Sequence, residues 1–329
     1  MSRHLQIAQR AFNTPLLFDK SKAQAFLVGL GARILGGNIV LPTLDVPEER
    51  LARASRTGPR LSVIDGESGK RRLARGDRLY PVIDGVALIQ VTGSLVHRGS
   101  WLEGSGVTSY ERLHEVIEAA RVDGSVRGIA LEVDSFGGEA SGCFDLADHI
   151  REVRADKPVW AFVAESAFSG GYAIASQANR IILPRTGEVG SIGVLSMHVD
   201  YSEQLEMEGV KVSLITAGEH KGDGNPFEPL PDDVRAAWQE RAEELRLIFA
   251  ETVAAGRGNR FSAEDALATE ARCFMGEEAV SLGLADEVSD LRGAFAAFVE
   301  EINGRSAATI TVGATVSAAE KETEMSKKN

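Results

Sequence analysis

Ser166-Ala167-Phe168-Ser169-Gly170-Gly171-Tyr172 lies between an apolar run, 159–163, and a row of small residues, 173–178. The run reads as a buried strand and the small residues as a helix, so Ser169 falls on a strand-to-helix turn. A serine there projects its hydroxyl, and the first backbone N–H groups of the helix point at whatever the hydroxyl meets. Glycines directly after it let another backbone come close. Taken alone, a Ser-Gly-Gly turn before a helix is an ordinary cap.

The pattern around that turn is a regular alternation of strands and helices. Upstream, 86–91 and 128–133 are short apolar runs suited to buried strands. Between them Thr108 is placed to cap a helix with Tyr110, Leu113, Val116, Ile117 and Ala120 on one face. A helix is expected from about Ser141 to Val153. Downstream, 180–183, 193–199 and 212–216 read as further strands. Pro231-Asp232-Asp233 opens a long helix with Val234, Trp238, Leu245, Ile248, Phe249 and Val253 inward. Such alternation with short connections gives an α/β fold with a largely parallel sheet and flanking helices.

Outside this block the composition changes. Residues 1–42 read as a helical, partly apolar leader, and Glu49–Arg78 as a basic linker broken by Gly58-Pro59 and Asp65-Gly66. The chain therefore divides into 1–80 (leader and linker), 81–304 (the α/β domain) and 305–329, an Ala/Ser/Thr-rich tail expected to be disordered. The whole chain of 329 residues has a net charge of −12, which argues against a nucleic-acid binder. Cys143 and Cys273 are isolated, as in a reduced compartment, and the six histidines have no metal-ligand spacing. The apolar stretch 23–32 is too short to span a bilayer. An unanchored cytoplasmic protein is expected.

Two further features bear on chemistry. Gly137-Gly138 follows the strand at 128–133, where an open α/β sheet presents backbone to ligands. Paired with the turn after Ser169, it could complete a two-donor oxyanion hole. Lys221 lies 52 residues beyond Ser169 in the glycine-flanked loop Ala217-Gly218-Glu219-His220-Lys221-Gly222-Asp223-Gly224-Asn225-Pro226. A lysine serves as a base when burial depresses its pKa, although a surface lysine is the ordinary alternative. His198, inside an expected strand, is a weaker candidate base.

The Ser166–Ser176 string and Thr186-Gly187 through Gly190-Ser191-Ile192-Gly193-Val194 resemble the signal-peptide-peptidase-A family of serine peptidases. His220–Pro226, followed by Leu230-Pro231-Asp232-Asp233-Val234-Arg235, is similar to the capsid assembly (head maturation) proteases of lambda-like phages, a likeness running from about Ala11 to about Ser289. The resemblance implies a ClpP/crotonase-type fold and Ser/Lys peptide hydrolysis without metal or cofactor. It makes Ser169 the nucleophile and Lys221 the general base. Gly170 and Gly138, with Gly137 as a third candidate, would be the oxyanion donors, and Ser191 the hydroxyl that orients Lys221. The pattern usually has proline where Phe136 precedes the two glycines.

It further implies an oligomer acting within an assembling phage prohead in the host cytoplasm. Its partners would be scaffold, portal and major capsid proteins and the chain itself. The alternatives are a cytosolic hydrolase of leftover peptides and a catalytically silent scaffold-type interaction protein.

Overall fold

The computed structural model describes residues 15–18, 62, 64, 79–98 and 107–304. The linker and tail expectations, and the leader apart from 15–18, lie outside or almost wholly outside these residues.

Five strands make the body of the sheet: β3 (Val86–Val96), β5 (Gly128–Glu139), β6 (Val159–Phe168), β7 (Arg180–Leu183) and β10 (Glu287–Val288). They run parallel in the order β10-β7-β6-β5-β3, and β2 (Val82–Ile83) closes the edge antiparallel to β3. The central strands are buried along almost their whole length, which is why their sequences are apolar rather than alternating.

Helices cover both faces. On one lie α1 (Tyr110–Val122), α2 (Cys143–Asp156), the short α3 (Gly170–Ala175) and the second half of α5 (Asp232–Arg257). On the other, the helical segment 291–304 packs Leu291, Phe295, Phe298 and Ile302 against Val86, Leu88, Trp160 and Phe162. The α1 cap is Ser109 rather than Thr108: its hydroxyl accepts the Arg112 N–H at 3.2 Å.

Longer than their apolar runs, β5 and β6 extend beyond the body of the sheet, and there they recruit short partners. Parallel to the end of β6 runs β8 (Glu188–Gly190), which pairs in turn with β9 (Cys273–Met275). Parallel to the end of β3 runs β4 (Val107–Ser109). The end of β5 pairs antiparallel with β1 (Leu16–Phe18), so this part of the expected helical leader is a strand.

Three expectations fail further along the chain. Residues 193–199 form only an isolated bridge, Leu195 to Leu16, and 212–216 form no strand, because neither stretch meets a ladder partner within one chain. The first part of α5 stands away from the body, and Ile248, expected inward, is exposed. Small helices α4 (Ser202–Met207), α6 (Ala263–Ala268) and α7 (Gly276–Ser281) and 3-10 turns at Glu219–Gly222 and Gly258–Arg260 complete the described elements.

Candidate active site

Ser169 is the last residue before α3, and its backbone is unusual for a residue with a side chain: φ is 51° and ψ −120°. Such a conformation costs on the order of 1–3 kcal/mol and persists only where the surroundings enforce it. Here the Ser169 N–H donates to the Gly190 carbonyl at 2.8 Å, and the Ser169 carbonyl accepts from Tyr172 and Ala173, both at 2.9 Å. The side chain is fully buried, yet Oγ has no hydrogen-bond partner among the described residues. A buried hydroxyl left unpaired costs about 1–3 kcal/mol, so strain and desolvation fall on the same side chain.

Gly137 and Gly138 sit at the end of β5 beside it. Gly137 has φ +92°, and a Cβ there would lie 2.0 Å from the Leu17 carbonyl oxygen and 2.9 Å from the Gly170 nitrogen. At Gly138 a Cβ would lie 1.7 Å from the Leu95 carbonyl oxygen. Neither position accepts a side chain. The Gly137 N–H donates to Ser135 Oγ at 3.1 Å, and the Ser135 hydroxyl donates to the Gly93 carbonyl at 2.7 Å. The Gly137 N–H is thus engaged within its own loop, and the Gly170 nitrogen faces the space that a side chain at Gly137 would fill. Phe136, in place of the expected proline, packs its ring 5.9 Å from that of Phe168. The Ser135 hydrogen bonds and this ring contact brace the loop that proline would otherwise stiffen.

Ser191 is one residue past β8 and also has a positive φ, 56°. Its neighbour Gly190 is the residue hydrogen-bonded to Ser169, so Ser191 enters the site beside the nucleophile candidate. Lys221 does not. It lies on the 3-10 turn, exposed, and is not hydrogen-bonded to Ser169 Oγ. The His198 ring is hydrogen-bonded with the Asn225 carbonyl at 3.0 Å and stands edge-on to Trp238, a contact that ties the Lys221 loop to the chain after Ser191.

Beneath α3, Tyr110 donates to the Glu139 carbonyl at 2.9 Å, and the Cys143 thiol faces the Gly170 carbonyl at 3.8 Å. Burial pushes the Cys143 thiol up to about 12, so it stays protonated and unreactive near neutral pH. Tyr172 Oη donates to the Leu284 carbonyl at 2.8 Å, pinning α3 to the Gly283–Asp286 element. That element is held by the buried Arg257 guanidinium, which grips both Asp286 carboxylate oxygens at 2.8 and 3.0 Å. Burial opposes the Asp286 charge, but Arg257, the Ile181 N–H and Arg260 outweigh it and hold its pKa below the ordinary value.

A buried, unpaired serine hydroxyl on a strained turn, beside glycine backbone, is an arrangement suited to nucleophilic attack. The family model of peptidase family S49 matches residues 151–303, a span that holds Ser169, Ser191 and Lys221. The chain carries a peptidase family S49 domain. Over most of its length it is also similar to two phage proteins. With the head-tail preconnector protein GP5 of Enterobacteria phage P21 it shares 37% identity over 92% of this chain and 59% of that one. With capsid assembly protease C of Escherichia phage lambda it shares 37% identity over 91% of this chain and 66% of that one. The chain thus spans about three fifths to two thirds of the length of these relatives. A membrane-bound stomatin-specific protease of known structure superposes with a TM-score of 0.37 at 18% identity, over 62% of this chain and 79% of that one. At that score the likeness adds nothing to the topology given above. No described helix is long and apolar enough to cross a membrane.

Ser135, Leu17 and Leu195 escaped the reading of the sequence. Ser135 directly precedes Phe136, and a hydroxyl two residues before Gly137 is a turn-bracing signal. Leu17 and Leu195 carried no local signal.

Proposed function

We propose that the chain is a serine endopeptidase that cuts scaffold, portal or capsid proteins, and itself, during assembly of a phage head. The observation that carries this reading is Ser169: strained, buried, unpaired, and beside glycine backbone. The phage setting rests on the similarity to the P21 and lambda proteins.

In the reaction, neutral Lys221 removes the Ser169 proton as Oγ attacks the peptide carbonyl. The Gly138 and Gly170 N–H groups hold the oxyanion, and Lys221 returns the proton to the leaving amine and then activates water. Ser191 orients Lys221. For this Lys221 must leave water, and in one chain it is exposed. The segment around it carries Val212, Leu214, Ile215 and Phe227 in exposed positions, with Ile215 96% exposed. An apolar surface of this kind is suited to burial against a second copy. Assembly of a homo-oligomer would bury Lys221 and bring it to a Ser169 hydroxyl, of its own chain or of the neighbour.

The test is co-expression with phage capsid and scaffold proteins. Shortened forms are expected with the parent and absent with Ser169→Ala. Identical patterns for both would refute the proposal.

A further inference from the structure

The groove beside Ser169 already holds a peptide, and the peptide is the chain's own. Leu16 exchanges both backbone hydrogen bonds with Leu195, at 2.9 and 3.0 Å, on one side of the groove. On the other side β1 runs antiparallel to β5 in the register Leu16 to Glu139, Leu17 to Gly138 and Phe18 to Gly137. The Ala140 N–H donates to the Pro15 carbonyl at 3.4 Å. Hydrogen-bonded and non-hydrogen-bonded pairs alternate along such a ladder, so Leu17 and Gly138 form the next bonded pair. The Gly138 N–H therefore donates to the Leu17 carbonyl. That oxygen lies 2.0 Å from the point where a Gly137 Cβ would be, and the Gly170 nitrogen is 2.9 Å from the same point. The Leu17 carbonyl thus sits beside the Gly138 and Gly170 nitrogens, with its side chain fully buried and Leu16 nearly so.

From this geometry we infer that the groove between Gly137–Ala140 and Leu195 binds an extended peptide in this register, with a leucine-sized aliphatic residue before the scissile bond, and that Leu17–Phe18 is a bond the enzyme cuts in its own chain. The inference rests on the peptidase reading and adds the substrate's register and specificity. Main-chain pairing on both edges supplies affinity without regard to sequence, and the buried Leu17 position supplies selection. In the step itself Ser169 Oγ bonds to the Leu17 carbonyl carbon, the Leu17–Phe18 C–N bond breaks, and the Phe18 nitrogen takes the proton from the base. Water then releases a Leu17 carboxylate. While the segment stays seated it competes with other peptides from within the same chain.

The experiment uses a free peptide of residues 13–20 and the full-length chain carrying Leu17→Asp. An ionised carboxylate has no partner in that buried position, so the segment is expelled. The expected result is cleavage of the peptide between its second leucine and phenylalanine, seen by mass spectrometry, at least ~10-fold faster than by the unaltered chain, whose own segment competes. A second peptide with aspartate in place of that leucine should be cut at least ~100-fold more slowly, by the variant or by the unaltered chain at millimolar peptide, so the comparison survives if the variant folds poorly. The inference fails if the first peptide is uncut, or cut at another bond, by protein whose Ser169 reacts with a fluorophosphonate. If Ser169 reacts in neither protein, the peptidase reading falls and the inference with it.

Discussion

At Ser169 two costs coincide: a backbone torsion that side chains avoid and a hydroxyl with nothing to bond to. A purely structural serine would shed both by becoming glycine, so their joint persistence points to chemistry at Oγ. The glycines beside it are constrained as tightly. Gly138→Ala would push a methyl group into the Leu95 carbonyl, 1.7 Å away, and displace an oxyanion donor. A loss of about 100-fold or more in peptide cleavage is expected, on the scale of losing one donor, together with a lowered Tm from the displaced backbone. Activity within a few fold of the parent would remove Gly138 from the site. The two candidate bases separate in the same assay. Lys221→Ala should lose at least ~100-fold, as for removal of a general base, while His198→Ala, which breaks a contact to the Asn225 carbonyl, should keep most of the activity. The reverse order would reassign the base.

The elements that hold the site are legible to different degrees. The strands β3, β5, β6 and β7 could be read directly, because burial on both faces demands an unbroken apolar run, and the runs are there. Their extensions could not, since residues beyond the runs become strand only by pairing with β1, β4 and β8. β1 is the extreme case: three residues whose conformation is set by partners some 120 and 180 positions away, with no local pattern to announce it. Conversely, 193–199 and 212–216 have strand-like composition but find too few backbone partners within one chain.

The clamp behind α3 is open to a direct test. Breaking the buried Arg257–Asp286 pair with Asp286→Ala leaves a guanidinium stranded and should cost about 3–5 kcal/mol. For a domain of this size that is a fall in Tm of roughly 10 °C. Because the folded Asp286 pKa lies below its unfolded value near ~3.9, its contribution is fully present above that pH. It is lost as pH falls through the folded pKa, so the Tm gap between parent and variant should shrink under acid and be constant from neutrality to about pH 5. A gap that widened under acid would contradict the assignment.

Over the whole molecule, the body of the fold and the Ser169 turn are complete in one chain, whereas Lys221, the proposed base, stands exposed in it. Half of the proposed dyad sits on a projecting, apolar-decorated segment, as Ile215 and Leu214 illustrate. Sequence spacing alone could place Ser169 at a strand end and Lys221 on a glycine-flanked loop, but not say that 212–216 before that loop is no strand, nor whether one chain brings the two residues together. If a second copy completes the site, Ile215→Asp should lower the oligomer mass by light scattering and the activity in parallel. An active variant monomer would show that one chain suffices. The claim beneath all of this is that Ser169 is the nucleophile. Its most direct test is mass-spectrometric mapping of the full-length protein after reaction with a fluorophosphonate. The adduct should lie on Ser169 and be absent in Ser169→Ala. An adduct on another serine, or the same labelling in the variant, would contradict it.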